Sequence, residues 1–326
     1  MGILDGHDPA QVEHAAALLA AGDLVAFPTE TVYGLGARAD DDAAVGRIFE
    51  AKGRPRDHPL IVHVADAAQA AFFAPAPGSA AERLMQALWP GPLTVIVPRH
   101  PSRAAAAAGG QASIGLRMPS HPVAVALLQA AARRGVPGVA APSANRFGRV
   151  SPTCAEHVRQ EFGPALPVLD GGPCAIGVES AIVDCTRPGR PTLLRPGQIG
   201  RERLQQVLGQ PLAEPDALAP RASGTLESHY APAAVLSLLE RAELRRRTAG
   251  LPGVAGQGVA VYSRDRPPAG WLHRPMPDDA DAAARELFSA LRGFDAVGAK
   301  AIWVEQPPRD PAWDAVRDRL QRASTR

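Results

Sequence analysis

Phe27-Pro-Thr-Glu-Thr-Val-Tyr-Gly-Leu-Gly36 and, a helix length later, Glu50-Ala-Lys-Gly-Arg-Pro-Arg-Asp-His-Pro-Leu-Ile-Val-His-Val64 decide how the 326-residue chain is read. The apolar run from Leu24 to Phe27 has the length of a buried strand. It breaks at Pro28 into a turn rich in hydroxyls, Thr29, Thr31 and Tyr33, with Glu30 among them. Gly34 and Gly36 permit a close backbone approach. Asp40 to Asp42 open a helix, Ala44, Val45, Ile48 and Phe49 form its apolar face, and Lys52-Gly53 stops it. A second strand, Leu60 to Val64, presents His63. Cations just past a helix end, here Arg54 and Arg56, are favoured by the helix dipole alone. Lys52 asks for more, because Lys52 and Lys300 are the only lysines of a chain whose other bases are all arginine. A lysine retained against that bias indicates a compact point charge, as in phosphate binding or pKa-tuned chemistry.

Toward the N-terminus, Asp8-Pro9 is a cap followed by proline at the first helical position, and Val12, Ala15, Ala16 and Leu19 form a stripe ending near Gly22. Beyond Val64, Ser79-Ala-Ala-Glu82 has the form of a capping box and predicts a helix through Leu84, Leu88 and Trp89. Trp89-Pro-Gly-Pro92 breaks it ahead of a strand from Leu93 to Val97. Ser113 to Met118 reads as a strand that delivers Arg117, Val123 to Ala132 as a helix, and Val136 to Ala141 as a strand entering Pro142-Ser-Ala-Asn145. On the residues alone Arg117 reads as a surface ion pair, and Ser143 and Asn145 as members of an ordinary turn. The same small groups also suit a ligand, to which they offer hydrogen bonds with little bulk. A helix from Pro152 to Phe162 and a strand from Pro167 to Asp170 follow. Next come a strand from Val178 to Asp184 with Ser180 near its start, and a hairpin through Pro188-Gly-Arg190 that leads to Arg195. A helix from Arg201 to Leu208 closes a first domain, 1–208.

Residues 209–232 are rich in proline, alanine and glycine without periodicity, which marks a linker; it ends in His229-Tyr-Ala-Pro232. From 233 to 326 strands are expected from Ala234 to Leu239, Gly258 to Tyr262 and Ala301 to Val304, with helices from Asp281 to Leu291 and Ala312 to Ala323. That alternation predicts a small parallel or mixed α/β layer.

The length suffices for two domains with buried cores. A net charge of +2 leaves no strong electrostatic footprint for nucleic acid. Cys154, Cys174 and Cys185 have no paired spacing and read as reduced thiols rather than a zinc site or a disulfide frame. The N-terminus has neither a basic nor an apolar leader region, and no run approaches a membrane span, so a cytoplasmic protein is expected. Serine-triad spacing, metal-ligand clusters and a glycine-lysine phosphate loop are all absent from the sequence.

Pro28-Thr-Glu-Thr-Val-Tyr-Gly-Leu35, Lys52-Gly-Arg-Pro55 with Pro59-Leu60, and Ser143-Ala-Asn145 resemble, in type and order, the YrdC-type threonylcarbamoyl-AMP synthase family. The similarity covers roughly the first two thirds of the chain, and the remainder resembles the C-terminal extension of longer members. The resemblance implies an α/β fold: a YrdC-like twisted mixed sheet with helices around a concave site, plus a smaller C-terminal Rossmann-like domain. It implies conversion of L-threonine, bicarbonate and ATP to threonylcarbamoyl-AMP and pyrophosphate, with Mg²⁺ entering on ATP. A separate tRNA threonylcarbamoyl transferase would act downstream. Lys52 and Arg54 are implied as catalytic cations, and Lys52, Arg54, Ser143, Asn145 and Arg195 as the ATP site, with His229 and Tyr230 of the linker covering it. Thr29, Tyr33, His63, Arg117 and Ser180 would line the threonine and bicarbonate end. The chain departs from the family pattern at Ala181, where members commonly carry a second hydroxyl. It departs again at Glu227-Ser228, where some carry basic residues.

Three other readings remain, the blandest being a two-domain α/β nucleotide-binding protein of unassigned activity, which is where the residues lead without the resemblance. A non-catalytic RNA-binding module of the same type is opposed by the near-neutral charge and the scarcity of aromatics. A carbamoyl-transfer enzyme built on a related domain would need zinc-finger cysteines that the sequence lacks.

Overall fold

The computed structural model describes residues 2–226, 228–250 and 258–325, so Glu227 lies outside the described residues. Two compact units emerge: Met1–Phe147 with Pro152–Thr225, and Gly148–Ser151 with Leu226–Arg326.

The first unit opens with β1 (Ile3–Asp5) and α1 (Pro9–Ala20), whose cap is Asp8 accepting from the Ala10 amide. β2 (Val25–Phe27) and β3 (Gly34–Arg38) form an antiparallel pair around the hydroxyl-rich turn. Gly36 is needed for packing inside this pair, since a Cβ there would meet the Phe27 ring and Val139 at 2.9 Å. α2 (Asp42–Lys52) starts on Asp41 and stops at Gly53, which takes the left-handed conformation (φ 64°) as the sequence requires. β4 (Ile61–His63), α3 (Ala67–Phe73) and α4 (Ser79–Leu88) follow. The expected capping box does not form: Gly78, at φ 89°, holds the cap position, so Ser79 is already inside the helix and makes no cap hydrogen bond.

β5 (Leu93–Pro98), β6 (Ser113–Arg117), α5 (Pro122–Arg133) and a short β7 (Val139–Ala140) come next. α6 (Ala155–Phe162) starts three residues later than its proline suggests, with Cys154 at the cap position. β8 (Val168–Asp170), the antiparallel hairpin β9 (Ala181–Asp184) and β10 (Thr192–Arg195), and α7 (Arg201–Leu208) complete the elements.

The strands form one mixed ten-stranded sheet in the order β1-β8-β2-β3-β7-β4-β6-β5-β9-β10. Alternate residues point to opposite faces, and here both faces are apolar. Val25, Phe27, Val139 and Ala141 pack with Val12, Leu19 and Leu127 of α1 and α5. Ala26, Ala140, Val62, Val95 and Val183 pack with Ile48, Phe73 and Leu84 on the other side. Where α1 and α5 no longer cover the first face, Ile61, Ile96, Ile182 and Leu194 form an apolar patch against Ala219 and Ala222. Residues 209–225 of the proline- and alanine-rich stretch thus belong to the first unit by their contacts.

The second unit contains β11 (Val235–Leu239), α8 (Arg241–Gly250), β12 (Val259–Ser263), β13 (Leu272–Pro275), α9 (Ala280–Ala296), β14 (Ala301–Glu305) and α10 (Asp314–Ser324). The four strands among its described residues are all parallel, in the order β11-β14-β12-β13. Val261 packs with Leu239, Leu244 and Trp271 on one face, and the alternating Ala260, Tyr262, Ile302 and Val304 are buried as well.

Candidate active site

Three groups of buried polar side chains sit on the first unit's sheet. In the first, Lys52 ends α2 with its side chain buried. Its ammonium donates to the carbonyls of Ser143, at 2.6 Å, and Asn145. Burial, and then the neighbouring Arg54 charge, hold its pKa well below the usual lysine range. The Arg54 guanidinium donates to Pro59 O (3.0 Å) and lies over the Phe147 ring at 5.7 Å. Asn145 Nδ2 donates to Arg146 O at 2.7 Å. The Ser143 main chain bridges Gly34, bringing the loop after β7 beside the hydroxyl turn.

The second group rests on strand register. β4 and β6 run parallel with His63 opposite Arg117. Arg117 donates from Nη1 to Thr31 Oγ1 at 2.8 Å and forms an ion pair from Nη2 with Glu30 Oε1 at 2.8 Å, both side chains buried. Burial alone would raise the Glu30 carboxyl, but the Arg117 charge and hydrogen bond outweigh it and the pKa falls below 4.5. His63 packs edge-on to Phe27, ring centroids 5.9 Å apart. Burial, then the charge of Arg117, push its pKa down to about 3, so the imidazole is neutral. Its Nδ1 has no hydrogen-bond partner among the described residues. Thr29 closes the turn internally, its Oγ1 donating to Val32 O (2.7 Å) and lying 2.8 Å from Thr31 Oγ1. Tyr33 is turned to the loop after β8: its hydroxyl lies 2.9 Å from Asp170 Oδ1 and 2.8 Å from Gly172 O. Burial raises its pKa above the usual phenol value.

In the third group, β5 and β9 run parallel and start together, Leu93 opposite Ala181. This places Ser180 Oγ 2.8 Å from Thr94 Oγ1. Arg195, at the end of β10, donates to Ser180 O (3.0 Å), Ser180 Oγ (3.2 Å) and Ser223 O (2.9 Å). Thr94 and Ser223 were not anticipated. Thr94 carried one signal, a hydroxyl inside an otherwise apolar strand, and it supplies a partner for Ser180 where the neighbouring Ala181 has no hydroxyl.

His229 and Tyr230 belong to the second unit. Tyr230 adopts φ 62°, stacks on Phe288 at 5.6 Å and receives the His229 ring edge-on at 4.2 Å. Arg319 lies over the same tyrosine at 5.4 Å. The structure therefore fixes this pair as an aromatic anchor in that unit.

The donor set suits an anion and offers little to a bare metal. Lys52, Arg54, Arg117 and Arg195 are all buried, and Glu30 is engaged by Arg117. No group of three or more His, Cys, Asp or Glu side chains converges among the described residues. Cys174 and Cys185 are buried, with burial raising both thiol pKa values, so neither is poised as a nucleophile. No described helix is long and apolar enough to cross a membrane.

A family model covering Sua5, YciO and YrdC, described as telomere recombination, matches residues 17–197. A second, described as the C-terminal domain of threonylcarbamoyl-AMP synthase, matches residues 199–325. The chain is 39% identical over 325 residues to threonylcarbamoyl-AMP synthase of Pyrococcus abyssi, covering 96% of this chain and 94% of that one. It is also 39% identical to the Bacillus subtilis protein of that name, over 98% of this chain and 94% of the relative. The crystal structure of P. abyssi Sua5 complexed with L-threonine superposes with a TM-score of 0.88 at 36% identity, covering 99% of this chain and 97% of the other.

Proposed function

Because the chain belongs to the Sua5, YciO and YrdC family and carries the threonylcarbamoyl-AMP synthase C-terminal domain, we infer that it is a threonylcarbamoyl-AMP synthase. The observation that carries this reading is the match to such synthases over nearly the whole of both chains.

The reaction has two parts. The threonine amine and bicarbonate give N-carboxythreonine and water. A carbamate oxygen then attacks the α-phosphorus of ATP, forming the new P–O bond as pyrophosphate leaves. Both partners are anions, so the barrier is largely repulsion and positioning, which fixed cations in a dry site lower. Lys52 and Arg54, with Ser143, Asn145 and Arg195, take the ATP end, Lys52 nearest the α-phosphate. Arg117, Thr29, Tyr33, His63 and Ser180 take the threonine and bicarbonate end. Arg117 orients a carboxylate through the guanidinium that Glu30 and Thr31 hold in place. The neutral His63 beside it adds no charge and leaves a ring nitrogen for a hydrogen bond. Tyr33 holds the Asp170–Gly172 turn and so shapes the wall of the site. Mg²⁺, carried on the phosphates, would offset their charge. In the lid that keeps water from the adenylate, His229 and Tyr230 provide the aromatic anchor. The product passes to a tRNA threonylcarbamoyl transferase in the cytoplasm.

The test is pyrophosphate release from Mg²⁺-ATP with and without L-threonine and bicarbonate, with mass spectrometry of the nucleotide product. Release that requires both, with threonylcarbamoyl-AMP as product, is the expected result. Release independent of threonine refutes the assignment.

A further inference from the structure

The second unit contains a cavity of about 280 Å³ that the proposed reaction does not use. It lies at the carboxyl ends of the parallel strands, between Ser263 at the end of β12, Glu305 at the end of β14, and the first turns of α8. β12 and β14 are neighbours, yet the chain leaves them in opposite directions. From β12 it runs outward to β13, while from β14 it turns back to α10, which packs against β11. Open parallel sheets bind ligands in the crevice that such a divergence leaves at their carboxyl edge.

The lining is chemically divided. Leu244, Val261, Pro267 and Pro268 give an apolar wall. In the same lining, Asp265 accepts from Arg241 Nε at 2.7 Å and from Arg245 Nε at 2.6 Å, so one carboxylate holds two guanidiniums. The fully buried Glu305 accepts from the Arg264 amide at 2.8 Å and from its guanidinium, with Arg241 Nε 3.6 Å away. Arg266 stands exposed at the mouth. Three guanidiniums of the lining, those of Arg241, Arg245 and Arg266, meet two carboxylates, those of Asp265 and Glu305, while Arg264, outside the lining, pairs with Glu305, and the Asp278 charge also acts on Arg241. Guanidinium forks match phosphate geometry. The volume is near the lower end, about 300 Å³, of small-molecule sites.

We propose that this cavity is a second ligand site, for a phosphate monoester no larger than a nucleoside monophosphate, its phosphate on Arg241 and Arg245 and its body against the Leu244, Val261 and Pro267–Pro268 wall. Asp265 both positions the two arginines and competes with the ligand for them.

The test is calorimetric titration of the full chain with AMP, in the wild type, in Arg245→Ala and in Asp265→Asn. Any binding elsewhere in the chain is common to all three and cancels. Arg245 is 63% exposed, so its truncation leaves the fold intact, which circular dichroism verifies. Loss of a charge-assisted contact weakens one class of AMP sites by about tenfold or more in Arg245→Ala. Asp265→Asn, which releases both arginines, tightens the same class. Inorganic phosphate, lacking a body for the apolar wall, binds this class more weakly than AMP. Isotherms identical in all three proteins overturn the proposal. So does weakening by Asp265→Asn equal to that by Arg245→Ala, the mark of a purely structural ion pair. Phosphate binding as tightly as AMP overturns it too.

Discussion

Lys52 and Asn145, 93 residues apart in sequence, are joined by a hydrogen bond from the buried ammonium to the main-chain carbonyl, and Ser143 O takes a second at 2.6 Å. The end of α2 and the loop after β7 are therefore one piece, and the charge proposed to meet phosphate also holds the loop proposed to carry the nucleotide. Lys52→Ala is expected to lower pyrophosphate release at saturating substrates by about a hundredfold, the scale of removing one electrostatic donor. Lys52→Arg, which keeps the charge but is bulkier, should recover only part of it. A near-normal rate in Lys52→Ala would remove Lys52 from the chemistry.

The lowered pKa of Lys52 has a measurable sign. In the unliganded protein burial and Arg54 favour the neutral amine. A bound phosphate favours the ammonium and moves the pKa back up. At a pH between those two values, ATP binding must take up a proton. Calorimetry in two buffers of different ionisation enthalpy should show uptake in the wild type and none in Lys52→Met. Equal enthalpies in both buffers for the wild type would contradict the assignment.

The buried pair Arg117–Glu30 predicts a double-mutant pattern. Arg117→Ala strands a buried carboxylate and should cost about 3–5 kcal/mol in denaturant titrations. Glu30→Gln in that background should restore most of the loss without restoring activity, because Arg117 is still missing. The carboxyl pKa lies below 4.5 in the folded chain, so the pair's contribution is present above that value and lost as pH falls through the folded pKa. The double variant should therefore show a flatter stability profile in acid. Activity returning with stability would make the pair a structural element only.

His63 acts on the same profile from a higher pH. Its pKa falls from 6.5 to about 3 on folding, so the unfolded chain binds the extra proton between those values. Stability is full above pH 6.5 and declines as pH drops through that window, by about 3–5 kcal/mol in all. His63→Asn removes this titration, and its melting temperature should fall less steeply from pH 6.5 to pH 5 than that of the wild type. Parallel slopes would show that His63 is not buried neutral.

Much of this was legible in the sequence, and each part that was not has its own physical cause. The stop of α2 at Gly53, the strands delivering His63 and Arg117, and α7 are set by local signals: a left-handed cap, short apolar runs, a stripe of leucines. β1 and β13 are three and four residues long and lie at sheet edges, where no hydrophobic pattern can accumulate. α8 was missed because its sequence, rich in arginine, buries little beyond Leu244 and Thr248. Ser79 shows a motif overridden by its neighbour, since Gly78 takes the cap conformation first. At the candidate site the residue types were readable. What they touch depends on strand register, which brings Thr94 to Ser180 and Arg117 to Glu30 from distant parts of the chain.

The stretch after α7 carries the last prediction, because its composition suggests a free linker while its contacts describe a strap. Ala219 and Ala222 cover the patch of Ile61, Ile96, Ile182 and Leu194. Arg221 pairs with Asp57 at 2.5 Å, its amide donates to Gln111 Oε1 at 2.9 Å, and Ser223 O accepts from Arg195. The Arg221–Asp57 pair is more than half exposed on both sides and adds little. The apolar contact and the part-buried Arg195 bond hold the strap. Ala222→Asp places a charge on the isoleucine patch and should lift the strap, leaving Arg195 without one of its carbonyl partners. The Michaelis constant for ATP should rise several-fold while that for threonine changes little, and limited proteolysis should now cleave between Pro215 and Thr225. Arg221→Ala should leave both constants within about twofold. If Ala222→Asp raises both Michaelis constants equally, the strap supports the sheet as a whole rather than positioning Arg195.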